Sequence, residues 1–342
     1  RDFADRYLPR FLAVHLFATV GTFNPSDLAE YYHHVLMTTA NIPKAQERTV
    51  APKEERLVLG LGAMALAVIL FTMIDTSAKW LVLAGLSAMQ VAFLRYAIHF
   101  LLAVVVFVPR EGPSAFFSYS PKLQCLRSVS LFIGTCLNFM ALKYLPITVT
   151  TTIMFAGPIV VTLLAIPVLG ERVGRHRIIA VCVGFLGVIV VMQPWGIGFH
   201  PAMLLNLGAL VGASVYFLIT RKLAGIENNS TAQLWASGLA TFCLAPFAFS
   251  EWVWPSVAID WVFFVMIGIF GGTAHILATS AHRLADASIL APVVYIQIFT
   301  AAVAGIFFFD TYPSVWTICG GLIIVGAGIY IWYREQQLNT EK

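Results

Sequence analysis

Ten stretches of about twenty mostly apolar residues, separated by short polar turns, constrain this chain more than any other feature. The runs cover approximately 57–80, 87–108, 123–142, 146–169, 176–194, 200–221, 230–250, 257–282, 287–309 and 313–333. A helix needs about 20 such residues to cross the hydrocarbon of a bilayer. An unpaired amide there costs several kcal/mol, far more than the tenths by which Thr or Val disfavours a helix in water. Even "YLPITVTTTIMFAGPIVVTLLAIPVL" therefore reads as helix, with threonine hydroxyls free to bond back to the preceding turn. Gly157-Pro158 predicts a bend in its middle, and Ala291-Pro292 another in the ninth run.

The charge content supports lipid as the solvent. Only 11% of the 342 residues are charged, against about 25% in soluble domains. The net charge of +4 is too small and too dispersed for nucleic-acid binding. Five cysteines lie singly in apolar stretches, with no CxxC spacing, and read as small buried hydrophobes. No cofactor motif and no metal pattern is present, so none is expected.

Lys and Arg in short loops mark the cytoplasmic face. With the first run leaving the cytoplasm, Lys53, Arg56, Arg110, Lys122, Arg127, Arg172, Arg175, Arg177, Arg221, Lys222, Arg283 and Arg334 all fall inside. Only Lys79 and Lys143 fall outside, each at a helix end. Both termini are thus expected in the cytoplasm, with the chain multi-pass in the inner (plasma) membrane. The halves repeat: "ALKYLPITVTTT…" from Ala141 and "AHRLADASILAP…" from Ala281 share a basic residue at the third position. Each then has an uncharged span, an acidic turn (Glu171, Asp310) and a Gly-rich span. Five spans per half is odd, so the halves must lie upside down to one another. The turns agree: "GERVGRHR" is basic, "DTYPSV" is not. The expected fold is all-α and integral to the membrane, ten helices in two inverted five-helix repeats, a build common to secondary transporters with a site at the seam. The expected division is an N-terminal extension (1–55), a first repeat (56–195), a second (196–335) and a tail (336–342). In the extension, Phe3–Phe23 is a candidate interfacial segment, and His33 and His34 read as surface residues.

The run from Tyr144 to Val191 resembles the signature region of EamA-type proteins of the drug/metabolite transporter superfamily. "MQVAFLRYAIHFLLAVVV" is similar to that family's second helix, and "APVVYIQIFTAAVAGIFFFDTYPSVWTICGG" to its second-repeat counterpart. The resemblance implies a ten-helix carrier with helices 1, 3, 4, 6, 8 and 9 around a central cavity. Substrates in that family include amino acids, nucleotide-like metabolites, vitamins and toxic amines. "FTMIDTSAKW" replaces an aromatic-plus-Asn pair of many members, and with "Q…LR" in the second helix it looks closer to S-adenosylmethionine or riboflavin uptake carriers.

An ionisable group within a span costs about 2.5–3.5 kcal/mol on insertion scales, so each is a functional candidate. Asp75 and Arg95 fall at similar depth, which predicts an interhelical ion pair; the local alternative is Asp75–Lys79 at i, i+4. Asp75 is equally a candidate for coupling or substrate binding. His99 shares a face with Arg95 and reads as a packing group, whereas His275 in "GIFGGTAHILATSAHR" is a cavity candidate. Asn138, Tyr216, Tyr295 and Gln297 complete the expected substrate-binding set. Gly208-xxx-Gly212 and Gly268-xxx-Gly272 are close-packing faces, within the monomer or at a homodimer seam.

These features point to a carrier of a small-molecule substrate working by alternating access, with a proton as candidate coupling ion. The expected cargo is amino-acid-, nucleoside- or vitamin-like. An exporter of amino acids or amphipathic toxic compounds is the alternative. An enzyme is disfavoured by the absence of HExxH, a metal carboxylate pair or a nucleophile elbow. No charged ring suggests a channel, and no GxxxxGK[ST] loop suggests a pump.

Overall fold

Because lipid offers an amide no partner, every backbone bond in the spans must be made within its own helix. The computed structural model describes residues 53–340 except 170–174, 197, 224–225, 286–289 and 291–292, and among these there is no strand. The helices are α1 (Lys53–Leu83), α2 (Ala88–Glu111), α3 (Pro121–Leu142), α4 (Ile147–Met154), α5 (Gly157–Leu169), α6 (Arg175–Met192), α7 (Ala202–Leu223), α8 (Asn229–Ser250), α9 (Ala258–Leu284), α10 (Ile296–Phe309) and α11 (Val315–Thr340). Eight spans are long and apolar enough to cross a membrane, with α4 and α5 counted together as one. Two shorter apolar helices, Ile178–Met192 and Ile296–Phe309, bring the passes to ten. The extension, the Glu171–Arg172 turn and Pro292 lie outside the described residues.

Helix neighbours reveal the two-fold. When each pass is exchanged with the one five places on, α1–α9 becomes α7–α3, α2–α9 becomes α8–α3, and α10–α1 becomes α4/α5–α7. The contacts α2–α8, α6–α11 and α4–α10 map onto themselves. Odd-numbered repeats related this way run through the bilayer in opposite senses. At the middle lie α1, α3, α7 and α9, flanked by α4/α5 and α10. The ends are called proximal, where α1 begins, and distal, where it finishes.

The fourth pass is broken. Its first segment ends at Phe155, and Gly157-Pro158 starts the second, as the proline predicts. In the ninth pass Tyr295 is a turn residue immediately before α10. The prolines of the two passes are out of register, but these interruptions are not: in the alignment that pairs Ala141 with Ala281, Phe155 falls on Tyr295. Their rings meet across the two-fold, centroids 5.4 Å apart. The bends thus form a symmetry-related pair, where the prolines alone suggested two unrelated kinks. The two segments also take different neighbours: α4 packs on α10 and α7, α5 chiefly on α7 and α6.

Two basic residues sit elsewhere than expected. Arg127, assigned by charge to a cytoplasmic loop, lies seven residues into α3 and is 2% exposed. Lys79, assigned to a water-facing helix end, is buried and donates to the carbonyls of Leu142 (3.0 Å) and Leu145 (2.6 Å), capping the negative C-terminal end of α3. Of the threonines, Thr150 and Thr152 bond back to Ile147 and Thr148 carbonyls, but the Thr148 and Thr151 hydroxyls are buried without partners.

Small residues set the helix spacing. Gly208 and Gly212 face Leu137, Ser130 and Gly134 of α3, and Gly268 and Gly272 face Ile98, His99 and Leu102 of α2, so both glycine faces close contacts within the monomer. At the α6–α11 crossing, a Cβ on Gly320 would come within 2.6 Å of the Gly187 carbonyl oxygen and 3.0 Å of the Val191 nitrogen. Backbone cannot yield as a side chain can. Gly320→Ala is therefore expected to destabilise by about 1–3 kcal/mol, read as a lowered Tm in detergent. Gly326→Ala on the same helix, with nothing within 4 Å of its Cβ position, should match or exceed wild type.

Candidate functional site

The central helices carry polar side chains into an interior that cannot solvate them, so each must be bonded by another. On α1, Asp75 Oδ1 accepts from Asn138 Nδ2 of α3 at 3.0 Å. Asn138 Oδ1 in turn accepts from Asn206 Nδ2 of α7 at 2.8 Å. This ladder crosses three helices and both repeats. Among the described residues it ends unspent on both sides: Asn206 Oδ1 is buried without a donor, and only Oδ1 of the half-buried Asp75 accepts a hydrogen bond. One turn earlier on α1, Thr72 and Thr300 of α10 join hydroxyls at 2.6 Å.

A second cluster adjoins the first through α3. Thr135, one turn before Asn138, donates to the Leu131 carbonyl. It accepts from Arg95 Nη1 at 2.7 Å and from the Tyr96 hydroxyl at 2.7 Å. One hydrogen and two lone pairs are thereby all used. Arg95 Nη2 lies 3.2 Å from His275 Nε2. A guanidinium only donates, so Nε2 must accept, and His275 carries its proton on Nδ1. Phe71 meets the imidazole edge-on at 5.2 Å, and His99 stacks on it at 5.4 Å with 11° between planes. Arg95 also lies 4.6 Å from the Tyr96 ring centroid. Its Nε, and both ring nitrogens of His99, are buried without a hydrogen-bond partner.

Among the described residues neither expected ion pair of Asp75 is formed. Arg95 reaches α3 one turn from the Asp75 partner Asn138, yet its fork is taken by Thr135 and His275. Lys79 turns instead to the α3 carbonyls.

The remaining expected residues divide. Tyr216 is not joined to this layer: its hydroxyl accepts from Arg127 Nη2 at 3.1 Å, and its ring lies 4.7 Å from that guanidinium. Arg127 also donates to Thr220, Gln124 and the Ala232 carbonyl, tying α3 to α7 and α8 toward the proximal end. Tyr295 belongs to the aromatic contact with Phe155. Gln297 begins α10 one turn before Thr300, and the Thr300 hydroxyl donates to its carbonyl. Sequence reasoning missed Asn206 and Thr135. Asn206 carries the same signal as Asn138, a carboxamide in an apolar span; a threonine that self-bonds carries none.

At the distal end Trp80 Nε1 donates to Asp260 at 2.8 Å, and Gln90 pairs both ways with the Val253 backbone. At the proximal end Glu227 accepts from Ser118 and the Ser120 amide, and Ser230 donates to Glu111. Among the described residues no group of three His, Cys, Asp or Glu is placed to hold a metal ion.

Comparison with known proteins bears on this arrangement. The model of the EamA-like transporter family matches twice, at residues 58–193 and 200–333. A protein of Rickettsia bellii named S-adenosylmethionine uptake transporter is 26% identical over 287 residues, covering 83% of this chain and 97% of its own. A protein of Rhizobium johnstonii named riboflavin transporter is 29% identical over 294 residues, covering 85% and 96%. A solved crystal structure with 19% identity superposes at a TM-score of 0.56, covering 83% of this chain and 99% of that one, which supports the fold alone.

The saturated hydroxyl of Thr135 gives a sharp test. Thr135→Val leaves a buried guanidinium and a phenol short of acceptors, at a cost of about 1.5–3 kcal/mol for the charged bond. Tm should fall by several degrees, and Thr135→Ser, which keeps the hydroxyl, should restore it.

Proposed function

The chain belongs to the EamA-like transporter family, and from that premise we propose that it is a secondary carrier of a small organic metabolite, working by alternating access. The observation that carries this is the polar layer. Asp75, Asn138, Asn206, Arg95 and His275 converge from α1, α3, α7, α2 and α9 at the seam of two inverted repeats. A merely structural bundle has no use for a carboxylate with an unspent oxygen there. Cargo in this reading is amino-acid-, nucleoside- or vitamin-like, and the names of the relatives make S-adenosylmethionine and riboflavin the first compounds to try. The basic proximal loops support a cytoplasmic proximal end and both termini inside, in the plasma membrane. In this reading Gln297 and Tyr295, at the start of α10, face the cargo, and Tyr216 acts with Arg127 as a fixed brace.

A thermal-shift screen of the purified chain against metabolites tests the reading. A ligand held at about a hundred times its Kd adds about 2.7 kcal/mol to the folded state, a rise of a few degrees. A panel holding nucleosides, vitamins and amino acids that gives no rise, together with proteoliposomes that accumulate none of them, contradicts it. Proton coupling is tested separately. Asp75→Asn should abolish uptake driven by a pH gradient while cargo supplied at saturating concentration on both sides still exchanges across the membrane; a variant still driven by the gradient excludes Asp75 as the coupling carboxylate.

A further inference from the structure

The interior holds opposite charges that leave each other unsatisfied. Among the described residues Asp75 Oδ2, on a half-buried residue, accepts no hydrogen bond, and Arg95 Nε, on a residue 6% exposed, is buried and donates none. Asp75 is bonded by Asn138, and Arg95 by Thr135 one turn earlier on α3, so the unspent carboxylate oxygen and guanidinium hydrogen flank the same stretch of helix, and one small ligand can use both.

The chemistry of each half is specific. On a guanidinium, Nε and Nη2 form the side face on which a carboxylate seats two parallel bonds. In this structure His275 bonds Nη2 alone, since a neutral imidazole nitrogen has one lone pair, and leaves Nε unused. Opposite Nε stands Gly271 of α9, where a Cβ would come within 3.3 Å of Arg95 Cγ and 3.6 Å of Nε. The glycine therefore keeps a side chain off that face. Across the layer, Asn138 fixes Asp75 Oδ1 and aims the carboxylate, so that Oδ2 is the free acceptor. A simple cation would satisfy Asp75 and leave Arg95 Nε bare. A neutral ring system could hydrogen-bond both groups but would bring a counter-charge to neither.

We propose that Asp75 and Arg95 together read an α-amino-acid head group, the ammonium on Asp75 Oδ2 and the carboxylate on the Nε–Nη2 face of Arg95, from which it displaces His275. This deepens the carrier reading above and rests on it: the substrate class becomes zwitterionic amino acids or metabolites bearing that head group. No covalent step is involved. One hydrogen bond, Arg95 to His275, is exchanged for two to a carboxylate.

The test uses the full chain in detergent and measures binding directly, with S-adenosylmethionine, its carboxylate methyl ester, 5′-methylthioadenosine (which lacks the amino-acid arm), riboflavin and free amino acids as probes. The tightest ligand should be one carrying both ammonium and carboxylate. S-adenosylmethionine should bind at least tenfold more tightly than its ester and than 5′-methylthioadenosine. Changing the ligand leaves the fold untouched, so a failure of variants to fold does not obscure this comparison. Among variants, Asp75→Asn should cost tenfold or more for head-group ligands, and His275→Ala should raise their affinity at least threefold by freeing Arg95. Equal binding of the ester, tighter binding of riboflavin, or no binding of any zwitterion overturns the assignment; loss of affinity in His275→Ala overturns the displacement. The carrier reading fails on different evidence, the absence of any uptake into proteoliposomes of whichever probes bind.

Discussion

A bilayer interior withholds hydrogen bonds, and the rest of this structure follows from that denial. The backbone answers with helices, which close their own amides, and the apolar surface faces lipid. The denial is harsher for side chains. Small hydroxyls bond back along their own helix, and the larger polar groups drawn inward mostly bond across helices, so much of the interior polarity becomes interhelical ties. Asp75–Asn138–Asn206 ties α1, α3 and α7; Arg95 ties α2 to α3 and α9; Arg127 ties α3 to α7 and α8.

The cations share one solution. Lys79, Arg95 and Arg127 are all buried, and none is neutralised by a carboxylate among the contacts described. Neutral acceptors hold them: carbonyls at a helix end, hydroxyls, an amide oxygen, an imidazole, and tyrosine faces that favour a cation electrostatically. Such bonds spread a charge over several helices without consuming the acidic residue. Asp75 is left free for something else, and the site described above depends on that freedom.

Much of the fold was legible in one dimension. Ten apolar runs, a basic turn matched by a non-basic one, and a repeat offset of 140 residues sufficed for the inverted pair, because lipid permits so few alternatives. The site was less legible. Asp75, Asn138, Arg95 and His275 were evident as costly polar groups in spans, but the partner of each was not. Matching depth made Arg95 the natural mate of Asp75; the angular position of each residue around its helix decided otherwise. Arg127 misled for a related reason, since charge near a span end reads as loop unless neighbouring helices supply its bonds. Proline positions likewise hid the alignment of the two helix breaks at Phe155 and Tyr295, as a proline marks where a bend is permitted and packing chooses where it falls.

The sequence by itself determined the membrane class, the number of passes, the inverted halves and the short roster of intramembrane polar residues. These depend on local composition and period, which the solvent reads directly. Only the tertiary structure decided that Asp75 is bonded by a carboxamide and not a cation, that Asn206 and Thr135 complete the layer, and that Tyr216 stands apart from it. Those outcomes turn on rotations and separations of helices far apart in the chain, fixed by glycine contacts and shared hydrogen bonds that no single segment encodes.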